Sequence, residues 1–235
     1  MRVFKFEELD STNTFLKNLE EKKEFDTVIA KIQTAGRGRR GNTWISQEGA
    51  GLFSFLAFED TNISIEEYSK LSLIVGYAVL KALKKIEQNL DFKFKWTNDI
   101  YLNEKKLCGI LIEKVNNFFV IGIGVNINNN NFEQLESIAT SLSKETEKKY
   151  VVEDIIYAII EEYKIQFERF KLGQWEKILL ELNQLNYLFG KRVKIVGIGN
   201  DEEGICGDIL QDGRLEVFIG NEIKSFNIGE IHICK

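Results

Sequence analysis

The chain has 235 residues, 31 basic against 36 acidic side chains, and a net charge of −5. That length carries one large domain plus a small appendage, and the acid excess argues against broad nucleic-acid binding, which shows as clustered positive charge. Three widely spaced cysteines, Cys108, Cys206 and Cys234, form no CxxC pair, and the single histidine, His232, leaves little material for a catalytic triad or a histidine metal site, so no metal ligand is assigned.

Residues 3–6 read as a short strand, and Asp10-Ser11-Thr12-Asn13 supplies capping side chains for a helix through Phe15, Leu16 and Leu19. Residues 27–33 alternate as a second strand that runs into a glycine-rich loop, and residues 51–58 form an apolar third strand. From 66 to 88 the positions Leu71, Ile74, Val75, Ala78, Ala82, Leu83 and Ile86 recur at three- and four-residue spacing, which predicts a long amphipathic helix. Phe92, Phe94 and Trp96 alternate with Lys93 and Lys95, so the aromatic rings share one side of a strand. Strands 106–115 and 118–127 follow, joined by a tight turn at Asn116-Asn117, and helices 152–170 and 174–182 complete a mixed sheet backed by helices.

After Gly190 the texture changes to short strands split by Gly199-Asn200-Asp201, Asp212-Gly213 and Gly220-Asn221, the pattern of a small β-barrel. The expected class is α+β, with residues 1–187 as the large domain and 188–235 as the barrel. No apolar run approaches the ~20 residues that span a bilayer. The N-terminal MRVFKFEELD lacks a signal core, so the expected location is the cytoplasm, without membrane attachment.

Four stretches interrupt this scaffold with chemistry. In Gln33-Thr34-Ala35-Gly36-Arg37-Gly38-Arg39-Arg40-Gly41-Asn42-Thr43-Trp44, three of the chain's seven arginines fall within four residues, alternating with glycine. Arginine grips carboxylate or phosphate with a planar fork while glycine lets the backbone approach the same anion; a solvated basic turn or a nucleic-acid patch would read the same way. In Lys95-Trp96-Thr97-Asn98-Asp99-Ile100, Asp99 could act as a base or hold Mg²⁺, Asn98 could bond a ligand amide or ribose and Lys95 could meet phosphate, or the hexapeptide could simply end a strand in an Asn-Asp turn. In Lys105-Lys106-Leu107-Cys108-Gly109, a lysine opening an apolar strand can aim a cation into a pocket at the sheet's end, or be solvated. In Gly122-Ile123-Gly124-Val125-Asn126, two strand glycines cost stability unless a ligand or backbone comes close, and Asn126 could read a base edge or form a turn.

Taken together and in this order with Ser11-Thr12-Asn13, these stretches resemble the biotin protein ligase family, also called biotin acetyl-CoA-carboxylase ligase, across the whole large domain. The resemblance implies a class II synthetase-like catalytic domain with a C-terminal SH3-like barrel. It implies activation of biotin by MgATP to biotinyl-5′-AMP, then transfer of biotin to a lysine of a biotin carboxyl carrier protein, with homodimers possible. Ser11, Thr12, Asn13 and Gln33 match residues around the biotin ureido ring. Arg37, Gly38 and Arg39 match a loop closing over biotin and the adenylate, and Lys106 the lysine at the biotin carboxylate and α-phosphate. Trp44 matches the indole stacked on adenine, Asn126 an adenine contact, Arg40 and Lys95 positions near the nucleotide phosphates, and Asn98 belongs to the same ATP-side motif. Asp99 is the candidate for deprotonating the incoming lysine.

Two departures are visible. Thr97 stands where the family usually has proline, in a chain without any proline, and Cys108 replaces the usual alanine. The first strand also begins at the very start of the sequence, ahead of which bifunctional family members carry a winged-helix domain, so DNA operator binding is not expected.

Overall fold

A computed structural model describes residues 1–196, 201–227 and 229–234. Its first half is β1 (Val3–Leu9), α1 (Thr12–Asn18), β2 (Thr27–Gln33), β3 (Gly51–Phe58), α2 (Leu71–Ile86), β4 (Phe92–Lys95), β5 (Asp99–Leu102), β6 (Lys105–Val115) and β7 (Phe118–Val125). Then come α3 (Leu142–Thr146), α4 (Val152–Lys171), α5 (Trp175–Gln184), β8 (Arg192–Val196), β9 (Glu202–Ile209), β10 (Leu215–Ile219), β11 (Glu222–Phe226) and β12 (Glu230–Ile233). The large sheet has the order β1-β2-β3-β7-β6-β5-β4; only β1 and β2 run parallel. The second sheet is five-stranded and antiparallel, ordered β11-β10-β9-β8-β12. The α+β class expected from the pattern is what the chain adopts.

Alternation along the central strands decides which face is which. Phe53, Phe55, Ile121 and Ile123 pack with α2 and α4 in the main core, whereas Leu56 and Val120 pack with Leu16 of α1 on the opposite face. Full burial of rings such as Phe94 contributes on the order of 1.5–3 kcal/mol each. Apolar side chains of the second sheet, among them Val193, Ile195, Leu215 and Val217, belong to the same contiguous core as the large sheet. Two indoles fasten the sheets further, Trp96 donating to the Gly213 carbonyl at 3.0 Å and Trp175 to that of Gln211 at 2.7 Å.

Several expectations needed adjustment. The 66–88 helix is a short 3-10 turn, Glu67–Lys70, leading into α2. The strand expected to end near Asp99 instead doubles back: Trp96, Thr97 and Asn98 form the bend between β4 and β5, and Asp99 opens β5, paired across to Lys95 and Gly109. The polar residues Thr97, Asn98 and Asp99 thus hide the start of a strand whose core side is only Ile100 and Leu102, both fully buried. The five-residue α3 was also not anticipated. Asp212-Gly213 and Gly220-Asn221 are turns as expected, while Gly199 and Asn200 lie outside the described residues. Among the described residues no helix is long and apolar enough to cross a membrane.

Candidate active site

On the face of the large sheet away from α2 and α4 lies a cavity of about 260 Å³. Its floor is made by glycine. Gly109 of β6 and Gly124 of β7 are direct register partners, and Gly122 lies two residues along. A Cβ on Gly124 would stand 2.5 Å from the Trp44 ring, one on Gly109 2.8 Å from it, and one on Gly122 2.9 Å from Asn13 Cγ. The strand glycines therefore exist to let two side chains of this chain sink onto the sheet. Gly124→Ala is expected to expel the Trp44 indole and to cost about 1–3 kcal/mol, as overpacking does; the check is a thermal melt followed by Trp44 fluorescence, and an unaltered melt and spectrum would contradict the packing argument.

The arginine-glycine segment is a small hairpin over this floor. Arg37 and Thr43 form an antiparallel bridge, Trp44 N–H donates to Gly36 O at 3.0 Å, and the tip at Arg40 takes a left-handed φ of 54°. Each arginine has a different anchor. Arg37 makes two parallel bonds to Glu113, at 3.2 and 3.0 Å. Arg39 donates to Thr97 Oγ1 and, at 3.0 Å, to Asn98 Oδ1. Burial and the neighbouring Arg40 lower the pKa of its guanidinium, and Asp99 works against that; even so, arginine stays charged. Arg40 reaches the Val196 carbonyl of β8 at 3.2 Å.

Lys106 owes its direction to a bulge. In an unbroken strand it would share a face with Cys108 and Ile110, both on the core side. The register between β5 and β6 shifts at this point, Ile100 pairing with Cys108 but Tyr101 with Lys106, which leaves Leu107 as the extra residue. Lys106 thereby turns toward Gly109, with Nζ 2.8 Å from Asp99 Oδ1 and 5.6 Å from the Trp44 ring centroid. Its backbone is held on the other side by Ile138 O and Thr140 N.

The opposite end of the cavity is polar and uncharged. Ser11 caps α1, its Oγ accepting from Thr14 N at 3.5 Å, and Gln33 Oε1 accepts the Thr12 N–H at 2.8 Å. Ser11, Thr12 and Asn13 are each buried. Lys95 also lines the wall, donating to Tyr101 OH at 3.3 Å.

Of the residues singled out from sequence, Ser11, Thr12, Asn13 and Gln33 meet Arg37, Gly38, Arg39 and Arg40 around this one cavity, and Trp44, Lys95, Asn98, Asp99 and Lys106 complete the set. Asn126 is the exception. It is buried behind the wall, its N–H donating to Leu107 O and its Oδ1 accepting from Asn129. Asn98 lines the cavity but has both ends of its amide engaged, with Arg39 and with Ile110 O. Sequence reasoning missed Gly229, Ile231 and His232, which bring the second sheet to the wall and carry no local signal. It also missed Glu113, although a carboxylate in the strand Leu107-Cys108-Gly109-Ile110-Leu111-Ile112-Glu113 was a visible irregularity.

Burial would raise the Glu113 carboxyl, but bonds from Lys17 and Asn13 and the charge of Arg37 outweigh it and hold the group below its ordinary range. A carboxylate depressed in this way adds stability above its unfolded pKa of about 4.3, and that stability is lost as pH falls through the folded value. The wild-type chain should therefore melt above a Glu113→Gln variant at neutral pH, with the gap closing in acid; a gap independent of pH between neutrality and the carboxylate range would be the contrary result.

Known proteins are similar to this chain in sequence and in fold. Residues 5–130 match the Biotin/lipoate A/B protein ligase family. The chain is 31% identical over 233 residues to the bifunctional ligase/repressor BirA of Escherichia coli, covering 92% of this chain and 71% of that protein. It is 27% identical over 211 residues to the biotin–[acetyl-CoA-carboxylase] ligase of Mycobacterium tuberculosis, covering 87% and 77% respectively. A solved structure of biotin protein ligase from Aquifex aeolicus, in complex with biotin and ATP, superposes with a TM-score of 0.89 at 28% identity, covering 100% of this chain and 99% of that one. With a family match over more than half its length, the chain belongs to the Biotin/lipoate A/B protein ligases.

Proposed function

We propose that this protein is a biotin protein ligase, which activates biotin with MgATP and transfers it to a lysine of a biotin carboxyl carrier domain of the acetyl-CoA carboxylase type. The observation that carries the reading is the convergence of Arg37 and Arg39 of the hairpin with Lys106 of β6 on the cavity whose other end is walled by Ser11, Thr12 and Gln33. A cyclic urea needs both donors and acceptors, which hydroxyls and amides supply; a dithiolane ring needs neither.

In the first step a biotin carboxylate oxygen attacks the α-phosphorus, the bond to the bridging oxygen breaks, and pyrophosphate leaves. Two anions meet, so Lys106 and the arginine hairpin offset their repulsion and stabilise charge growing on the phosphoryl oxygens. In the second step the acceptor amine attacks the acyl carbon of the mixed anhydride, AMP departs with the C–O bond pair, and the amine proton passes to a base, for which Asp99 is our candidate. Asp99 is the one carboxylate among the described lining residues. It is paired with Lys106; magnesium enters in this reading with the nucleotide, as part of MgATP.

Trp44 would pack against adenine and Arg40 and Lys95 would lie toward the phosphates. Asn126 can contribute to the nucleotide only if the wall in front of it rearranges. We assign residues 1–187 as the catalytic unit and 188–235 as an appended unit that completes the wall, with the exposed edge β1 as the strand on which two copies would pair. Biotin-dependent exchange of labelled pyrophosphate into ATP tests the first step; exchange with lipoate instead of biotin, or calorimetric binding of lipoate in preference to biotin, would replace this reading with the lipoate branch of the family.

A further inference from the structure

We propose that Glu113 and Ser54 are positioning residues that fix the donor and acceptor polarity of the urea end of the cavity, and so its specificity for a cyclic urea. This rests on the biotin reading. Neither side chain lines the cavity, and Ser54 is fully buried beneath it.

The bonds behind the wall admit one direction only. An ionised carboxylate accepts and never donates. Glu113 Oε2 lies 2.7 Å from Asn13 Nδ2, so the Asn13 amide must turn its nitrogen to Glu113 and its oxygen to Ser54. Flipping that amide would set oxygen against oxygen in a buried place, which costs the desolvation of both. Gly122, with no side chain, leaves the space in which the amide lies. Asn13 Oδ1 then accepts from the Ser54 hydroxyl, at 2.6 Å.

The same hydroxyl points at Thr12 Oγ1, 2.7 Å distant, so Thr12 Oγ1 is an acceptor on this side and turns its own hydrogen elsewhere. The other neighbour of Thr12 Oγ1 is Gln33 Oε1 at 3.0 Å, an acceptor. Gln33 Oε1 takes the Thr12 hydrogen, which therefore stays inside the wall, and the cavity sees the Thr12 lone pairs. Gln33 is fixed in the opposite sense: its Oε1 holds the Thr12 N–H, leaving its amide N–H groups to offer. Ser11, which accepts from Thr14 N as the helix cap, likewise keeps its hydroxyl hydrogen to donate. The wall thus presents an acceptor at Thr12 and donors at Gln33 and Ser11, the complement of a urea with its N–H groups and its carbonyl.

Glu113 also carries Arg37 and Lys17, the latter at 2.7 Å, so its loss alone would mix two effects. Ser54→Ala separates them, because it breaks the relay and leaves the Arg37 pair intact. The experiment measures KM for biotin and for ATP in the exchange assay, with calorimetric biotin binding and a melt for each variant. Glu113→Gln, which can donate as well as accept, and Ser54→Ala are each expected to raise the biotin KM about tenfold, the scale of a charge-assisted bond, with the ATP KM within about twofold. Lys17→Met, removing only the outer cation, should leave both KM values within about twofold. An unchanged biotin KM in folded Ser54→Ala, equal rises for biotin and ATP, or a Lys17→Met effect as large as that of Glu113→Gln overturns the relay. Failure of the wild-type protein to bind biotin strikes the ligase reading instead.

Discussion

Lys106→Met is expected to lower biotin-dependent pyrophosphate exchange by about two to three orders of magnitude, the range seen when a preorganised donor is removed from a site of developing negative charge. Methionine keeps the unbranched stem that lies beside Gly109 and the Trp44 ring and removes only the ammonium group. Lys106 is held from both sides, by Asp99 at 2.8 Å and by its backbone bonds to Ile138 and Thr140, so its charge needs no reorganisation when the reactants arrive. The loss should therefore appear in kcat, with a smaller change in the biotin KM, because the interaction strengthens as charge builds on the phosphoryl oxygens. Exchange at the wild-type rate by a variant with a wild-type melt would remove Lys106 from the mechanism.

Arg39→Gly should act on the other half of the cycle. The Arg39 side chain ties the hairpin to the β4–β5 bend through Thr97 and Asn98, and it is the only side chain of the hairpin tip with a described bond to that bend. Among the described residues, cutting this tie leaves the bond from Arg40 to the Val196 carbonyl as the tip's side-chain attachment. Adenylate formation should persist at a reduced rate, while escape of biotinyl-adenylate rises by roughly one to two orders of magnitude, since a reactive intermediate survives only while water and exit are excluded. Filtration of enzyme loaded with labelled biotin and ATP reads this directly: label passing the filter without acceptor supports the tether, and retention equal to wild type refutes it.

How much of this was written in the chain can be argued residue by residue. Core-facing strands and long helices were legible because burial imposes a period of two or of about 3.6, and Phe92, Phe94, Leu71, Ile74 and Val75 obey it. Residues of the site were legible where their chemistry contradicts the period around them, as with three arginines among glycines, or two glycines in β7. The reason for those glycines was not: a close approach was expected from a ligand or backbone, and it is Trp44 and Asn13 that come close. β5 was hidden because its cavity side is polar and its core side only two residues long.

Sequence by itself determined the composition of the reacting site: which cations, hydroxyls and amides the chain possesses, in what order, and the scaffold of alternating and helical segments that carries them. Tertiary structure alone decided their directions. Lys106 faces the cavity only because one extra residue in β6 shifts the register, Asn126 lies behind the wall because Leu107 and Asn129 claim its polar groups, and His232 arrives from more than a hundred residues away. The physical reason is that a side chain's facing depends on pairing between strands distant along the chain, which no local pattern encodes, whereas its charge and hydrogen-bonding capacity travel with the residue itself.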